Sequence, residues 1–301
     1  IPPERIPMPT PLILNPAAGR GAAVRFEPAL CAELATLGIA VDVVHSTAPG
    51  DVASRVAAAL VARPERVLIA GGDGTVHEAV NGWMQAGGGA PLGIIPAGTG
   101  NDFMKMLDQK PDDWRAACRL IARGRVREMD IARCNDFYFA NSLGIGLDAQ
   151  VALAANRMRW LHGTLVYGVA LFKTLLRDHR TPRVRVTHDG ETFETGITLL
   201  AAQNGRVEGG SFRLAPHAEL DDGLLDVVLA RAMSRLRVLA LLPRVLTGTH
   251  LSHPAIRAFR TRQLIIESRE GLPVHADGEI RYQAAQHLEI EVLPRRLRVI
   301  A

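Results

Sequence analysis

The chain has 301 residues, 48% hydrophobic and 22% charged, with a net charge of +4. That length favours two domains, and that composition is of an ordinary globular protein rather than a disordered chain. Aromatic residues make up only 5% and no nucleic-acid-binding motif is present, which argues against nucleic acid as a partner. Three scattered cysteines, Cys31, Cys118 and Cys134, form no Cys-x-x-Cys pair. Neither a disulfide framework nor a zinc knuckle is expected, and a reducing cytoplasmic setting fits. The longest apolar stretches, such as Leu165 to Phe172, fall short of the ~20 residues that a transmembrane segment needs. The sequence begins at Ile1, which leaves a removed leader open.

Five prolines within Ile1–Pro11 predict an extended tail. The next 120 or so residues alternate short β-branched runs with helical stretches, the pattern of βαβ units around a parallel sheet. Strands are expected at Leu12–Leu14, Val41–Val44, Val67–Ala70 and Gly93–Ile95. Helices are expected at Arg25–Leu37, Asp51–Ala62, Val76–Gln85 and Asp112–Ala122. After Arg127 the pattern changes to hairpins with helical insertions. Met129–Arg133 and Phe137–Ser142 pair around Cys134-Asn135-Asp136, and Val184–His188 and Phe193–Ala202 turn at Asp189-Gly190. Helices are expected near Gln150–Trp160, Thr164–Arg177 and Ser234–Leu246. Further strands are expected at Leu225–Ala230, Gln263–Ser268, Val274–Ala276 and Leu288–Val292. Trp160 and the apolar positions of Thr164–Arg177 read as core or cleft lining.

In an open α/β sheet the chemistry sits at the carboxyl ends of the strands. There lies Ile69-Ala-Gly-Gly-Asp-Gly-Thr75, a strand running through glycines into a helix. Gly71, Gly72 and Gly74 are expected to adopt positive φ and approach a ligand closely, while the helix start offers unpaired N–H groups to phosphate. Asp73 would repel bare phosphate, which points to magnesium or to a polar structural role. One strand later, Ile95-Pro-Ala-Gly-Thr-Gly-Asn-Asp102 repeats the design, with Gly98 and Thr99 at its centre. Asn15-Pro-Ala-Ala-Gly-Arg-Gly21 follows the first strand and Ser46-Thr47 the second. A nucleotide triphosphate explains four such loops together; a packed core does not require them. No Gly-x-x-x-x-Gly-Lys-Ser/Thr is present, the three lysines (105, 110 and 173) lie outside the glycine loops, and no Gly-x-Gly-x-x-Gly occurs. Phosphate binding here must therefore use backbone N–H groups, hydroxyls and metal.

Gly71-Gly-Asp-Gly-Thr75 followed by Pro96-Ala-Gly-Thr-Gly-Asn-Asp102 resembles the catalytic region of diacylglycerol and sphingosine kinases, closest to the soluble bacterial lipid kinases of that superfamily. The resemblance continues through Asn141–Asp148, Gly209-Gly210, Ala218–Asp226 and Ala276-Asp-Gly-Glu279, and so spans nearly the whole chain. It implies a doubly wound α/β domain like that of phosphofructokinase and NAD kinase, over 10–128 with a return segment 294–301. A mainly antiparallel β-sandwich domain with helical insertions, carrying the lipid substrate, would occupy 129–293, with ATP in the cleft between the domains. Nucleotide contacts would fall on Asn15, Thr47, Gly71, Gly72, Asp73, Gly74, Thr75, Gly98 and Thr99.

The resemblance places a general base at Asp277, assisted by Glu279; the same Asp-Gly pair also reads as a plain hairpin turn. Asp189-Gly190 has no motif around it and reads as a turn only. Asp222, with the carbonyls of Glu219 and Leu224, matches a magnesium site, the oxygen-rich ligation a hard cation prefers. Two acid-free segments are basic: Ala149–Arg177 with Arg157, Arg159, Lys173 and Arg177, and Arg231–Ile266 with seven arginines. They read either as a solvated face or as a surface for anionic lipid, with Arg235, Arg257 and Arg260 as its contacts.

The reading is an ATP- and Mg2+-dependent lipid kinase, cytoplasmic and peripherally membrane-associated. A kinase of NAD or another small molecule, or a lipid- or nucleotide-binding regulator without turnover, are the alternatives. Diacylglycerol, a sphingoid base, ceramide and phosphatidylglycerol stay open as acceptors, as does the oligomeric state.

Overall fold

The computed structural model describes residues 8–156, 158, 164–177 and 179–301. The expected tail over Ile1–Pro7 and the positions of Arg157, Arg159 and Trp160 lie outside them. The chain forms two compact units, one reaching to Glu128 and taking back Leu297–Ala301, the other Met129–Arg296.

The first unit contains β1 (Thr10–Leu14), α1 (Ala22–Thr36), β2 (Val41–His45), α2 (Asp51–Val61), β3 (Val67–Gly71), α3 (Asp73–Gln85), β4 (Leu92–Pro96), α4 (Asp102–Met106) and α5 (Trp114–Arg123). Its strands are parallel in the order β2-β1-β3-β4. All five residues of β3 and of β4 are buried, because helices cover both faces of the sheet. Leu12, Leu14, Leu68, Ala70 and Ile95 turn to one face and pack with Leu30 and Leu34 of α1 and Cys118 and Ile121 of α5. Helix α5 starts two residues later than expected, because Asp113 is its N-cap and accepts the Ala116 N–H at 2.8 Å.

The second unit contains β5 (Val126–Cys134), β6 (Phe137–Phe139), β7 (Ser142–Gly146), α6 (Leu147–Asn156), α7 (Thr164–Arg177), β8 (Arg183–His188), β9 (Glu191–Gln203), β10 (Leu225–Arg231), α8 (Arg235–Thr247), β11 (Ile256–Thr261), β12 (Gln263–Ala276) and β13 (Glu279–Ile300). Strands β5 and β13 carry the chain between the units, and Val299 of β13 pairs in parallel with Leu92. The remaining pairings are antiparallel, with β11-β10-β9-β7-β12-β13 as the spine and β8 joining the first half of β9 to the first half of β12. Alternate residues such as Leu225, Val227 and Leu229, or Leu264 and Ile266, fill one core with Leu143, Ile145, Phe137 and Phe139.

Three expectations need correction. The stretches Gln263–Ser268 and Val274–Ala276 belong to one strand, β12, whose pairing shifts register around Gly271, at φ +72°. Leu288–Val292 is only the middle of the long β13, and β11 was not expected at all. In β13 the tandem Ala284-Ala285 interrupts the alternation that marks a strand, and β11 is only six residues long. Phe137–Ser142 is likewise two strands, broken at Ala140-Asn141. All three cysteines are free, and among the described residues no helix is long and apolar enough to cross a membrane.

Candidate functional site

In the first unit, the loops at the carboxyl ends of β1, β3 and β4 meet backbone against backbone. A Cβ on Gly98 would stand 2.5 Å from the Gly72 Cα, and one on Gly72 would stand 3.0 Å from the Gly98 Cα. A Cβ on Gly19 would stand 2.5 Å from the Ala97 carbonyl oxygen, and one on Gly71 would enter the Thr75 side chain. None of Gly71, Gly72 and Gly74 has positive φ, and Gly72 is extended at φ −99°, ψ −171°. Gly71 and Gly72 therefore supply room, and none of the three supplies left-handed backbone, which corrects the sequence expectation. Thr75, in the first turn of α3, takes a hydrogen bond from Asn15 Nδ2 at 2.9 Å, tying the first loop to the third. Asn101, at φ +49°, closes its own loop: its Oδ1 accepts the Gly98 N–H at 3.1 Å and its Nδ2 donates to the Gly98 and Pro111 carbonyls. Thr47 stands apart, with its N–H and hydroxyl both bound to Asp51 Oδ2 at 2.8 and 2.9 Å.

Asp73 is the charged group of this loop cluster. Its Oδ1 accepts the Phe103 N–H at 3.2 Å. Burial first, and then the neighbouring Asp102, push its carboxyl up to about 6. A buried acid with raised affinity for a proton is also a group that a cation would relieve.

In the second unit, Asp277 and Gly278 form the two-residue turn between β12 and β13, with φ of +50° and +85°. The turn reading and the functional reading coexist, because the Asp277 carboxylate reaches beyond the turn. It accepts three consecutive backbone N–H groups, from Ala140 at 3.1 Å, Asn141 at 2.9 Å and Ser142 at 3.0 Å. The Asp277 N–H returns to the Ser142 carbonyl at 2.8 Å. This grip occupies the gap between β6 and β7. Asp189-Gly190 has a similar pair of positive φ values, but Asp189 takes the Thr261 hydroxyl at 3.1 Å and stands 3.7 Å from His188 Nδ1, with no grip on consecutive backbone amides among the described residues. Glu279 is exposed at the first position of β13, and the support of Asp277 comes from the 140–142 backbone instead.

Asp222 lies in the turn before β10, where its Oδ1 accepts the Leu224 N–H at 3.0 Å. The Arg260 guanidinium lies against its carboxylate and stands 3.6 Å from Asp226. Asp222 Oδ2 is buried, and it is the oxygen that faces the Arg260 guanidinium. Burial, with Glu219 adding to it and His217 opposing, raises Asp226 to about 6. The Arg260 guanidinium therefore occupies the place beside Asp222 that the sequence reading gave to a cation.

Family models match most of the chain: the diacylglycerol kinase catalytic domain over residues 9–134 and the YegS C-terminal NAD kinase beta sandwich-like domain over 141–301. A diacylglycerol kinase of Mycobacterium tuberculosis is 32% identical over 96% of this chain and 93% of its own length. The chain belongs to the diacylglycerol kinase family. A Bacillus subtilis diacylglycerol kinase is 26% identical over 89% of this chain and 88% of its own. A Bacillus anthracis crystal structure, provisionally titled a diacylglycerol kinase, has a TM-score of 0.82 at 26% identity, covering 97% of this chain and 94% of that one. This family member is accordingly an ATP-dependent lipid kinase, built from an α/β catalytic domain and a β-sandwich domain.

Sequence reasoning passed over the buried polar residues that hold the kinase's second unit together. Asp130, fully buried, accepts the Gly223 N–H at 2.6 Å and the Arg295 N–H at 2.7 Å, and so fixes the Asp222 turn. Asn204 Nδ2 bridges the carbonyls of Asp130 and Ala140. His275 Nε2 lies 3.1 Å from Asp148 and 2.9 Å from Glu208, and Gln203 donates to the other oxygen of Glu208. Burial opposes charge on His275, but the two carboxylates outweigh it and raise the imidazole well above its ordinary range. Gly144 leaves the room for this trio, since a Cβ there would fall on Asp148 Oδ2 and His275 Nε2. Only the bare glycine of Ser-Leu-Gly-Ile-Gly signalled it.

Two predictions follow from the first unit. Gly98→Ala should weaken ATP binding and lower Tm more than Gly72→Ala does, because its Cβ meets backbone at the shorter distance; calorimetry with ATP and thermal unfolding measure both. Asp73 holds its proton more tightly folded than unfolded, so the native state is favoured at low pH and loses stability as pH rises from about 4 through 6. Asp73→Asn should therefore raise Tm by several degrees at pH 8 and much less at pH 4.5, in thermal scans without nucleotide.

Proposed function

We propose that this kinase transfers the γ-phosphate of magnesium-ATP to the hydroxyl of diacylglycerol or a closely related lipid, feeding phospholipid synthesis. It would act in the cytoplasm, peripherally associated with an anionic membrane leaflet. The observation that carries the assignment of roles is the grip of three backbone amides on Asp277. A turn needs only the positive φ values, as Asp189 illustrates; fixing the carboxylate's direction as well suits a group that must meet an incoming hydroxyl. Phosphoryl transfer passes through a loose transition state, so positioning and charge neutralisation carry most of the catalysis. Asp277 would orient the lipid hydroxyl and take its proton, with Glu279 as an outer acidic neighbour.

In this proposal Asn15, Gly71, Gly72, Gly74, Thr75, Gly98 and Thr99 would bind the nucleotide phosphates through backbone N–H groups and hydroxyls, and Thr47 would add a further nucleotide contact. Magnesium, when bound, supplies charge neutralisation; Asp73 would face it at the nucleotide. Asp222, with the main-chain carbonyls of Glu219 and Leu224, would hold a second cation that keeps the β10 turn in place.

Asp277→Asn sets an NH2 group against the Ala140 N–H, so a small Tm loss should accompany the chemical effect. The kcat should fall ~10²–10⁴-fold while ATP affinity holds, as expected for removal of a general base. A variant that keeps most of its turnover would move the base elsewhere. Asp222→Asn should leave ATP affinity intact yet raise the magnesium concentration needed for full activity and lower Tm, read from magnesium titrations of rate and unfolding.

A further inference from the structure

His275, Asp148 and Glu208 come together from three elements: the end of β12, the first turn of α6 and the loop that follows β9. The His275 side chain is 1% exposed, and the two carboxylates facing its Nε2 are 19% exposed at Asp148 and 10% at Glu208. Two carboxylates and an imidazole at this spacing have the composition of a metal site. The other ring nitrogen decides against one. Gly278 donates its N–H to His275 Nδ1 at 3.3 Å, so Nδ1 is an acceptor and the ring proton sits on Nε2. A histidine that ligates a metal through Nε2 carries its proton on Nδ1 and donates it to an acceptor. Here a donor stands in that place.

The carboxylates account for the tautomer. Nε2 lies 2.9 Å from Glu208 and 3.1 Å from Asp148, and Gly144, opposite His275 on β7, leaves the space for this approach. Burial, followed by the charge of Asp148, raises the affinity of Glu208 for a proton. A second proton on the ring would point at the Gly278 N–H. The extra proton that this environment favours therefore lies between the carboxylates.

Both holds on Asp277 lead back to this trio. His275 stands two residues before Asp277 and fixes Gly278, the second residue of the turn. Glu208 belongs to a loop tied to Asn141: Asn141 Nδ2 donates to the Val207 carbonyl at 3.0 Å, and the Asn204 and Gly205 N–H groups donate to the Asn141 carbonyl at 2.8 and 3.1 Å. Asn141 is in turn the middle of the three amides that grip the Asp277 carboxylate. One polar cluster thus braces the turn that carries the aspartate and the backbone that directs it. We propose that His275 is a positioning residue for Asp277: its Nδ1 holds the Gly278 N–H, while Asp148 and Glu208 keep its proton on Nε2 so that Nδ1 stays an acceptor. This role rests on the reading of Asp277 as the general base.

Two substitutions separate the bonds of the ring. Asparagine places its Oδ1 close to the position of Nδ1 and keeps an acceptor for Gly278, but it reaches neither carboxylate. Glutamine reaches the carboxylates with its NH2 group and offers nothing to Gly278. His275→Gln should lower kcat roughly ten-fold, the worth of one hydrogen bond, with KM for ATP and lipid unchanged and a small loss of Tm. His275→Asn should keep kcat within about three-fold of wild type yet lose more Tm, because two buried carboxylates are left without a donor. If kcat instead follows Tm, with the asparagine variant the slower, the trio is structural and the proposal is overturned. Nitrogen NMR of the wild-type histidine rings, with His275 assigned by its loss in His275→Asn, should show Nε2–H and an unprotonated Nδ1. A doubly protonated ring or an Nδ1–H ring would overturn the role and leave the base in place. Zinc or manganese binding that Glu208→Gln abolishes would do the same, by making Nε2 a ligand. Turnover retained in Asp277→Asn alone would remove the base and this role with it.

Discussion

Nothing but backbone separates Gly72 from Gly98. With Gly19 held as closely to the Ala97 carbonyl, three loops that end three parallel strands are brought to atomic contact at one place. No side-chain interaction could bring them so close, because any Cβ would intervene. The consequence is chemical as well as structural. Under the proposed function, loops this compact would leave their amides and the short side chains of Thr75 and Thr99 to bind phosphate, in a chain whose lysines lie outside these loops. Placing Asp73 in the same cluster costs stability, since burial raises its carboxyl to about 6, and such a cost is common where a site is shaped for a ligand instead of for the fold.

The second unit holds a carboxylate in a fixed direction. A hairpin turn sets the backbone at Asp277 but not its side chain. The three amides of 140–142 do that, and they are available only because the chain breaks between β6 and β7. Asn204 binds the Ala140 carbonyl on the same segment, and Asp130 ties the Asp222 turn to Arg295. Buried polar networks of this kind are costly when incomplete and rigid when satisfied. Here they hold turns that the apolar core alone would leave loose.

Much of this was legible in the sequence, for reasons that differ by region. The βαβ alternation and the glycine loops were readable because both are local: five buried residues, then glycines, then a helix start. Of the two reasons assigned to the glycines, positive φ does not hold, because a glycine needed for close approach looks the same in sequence as one needed for positive φ. Asp277 and Asp189 sit in identical dipeptides with the same backbone, and only the distant partner of each carboxylate separates them. Asp130, Asn204 and Glu208 went unread because their partners lie far along the chain, up to 165 residues away for Asp130 and Arg295. The exposed apolar side chains of α7 and α8, among them Phe172, Leu176 and Leu236, were hidden for the opposite reason, and they correct the expectation that the apolar positions of Thr164–Arg177 line a core or cleft. Helices apolar on two faces look like core until packing shows which face is covered.

The central claim, that this chain phosphorylates a lipid, is tested most directly by incubating the wild-type protein with magnesium and γ-labelled ATP. The acceptors should be diacylglycerol, sphingosine, ceramide and phosphatidylglycerol in mixed micelles, with NAD and hexoses in parallel, and the labelled product identified. The account predicts label in phosphatidic acid, dependent on magnesium and absent from NAD and sugars. Label on NAD or a sugar, or none on any lipid when ATP binding is intact, would contradict it.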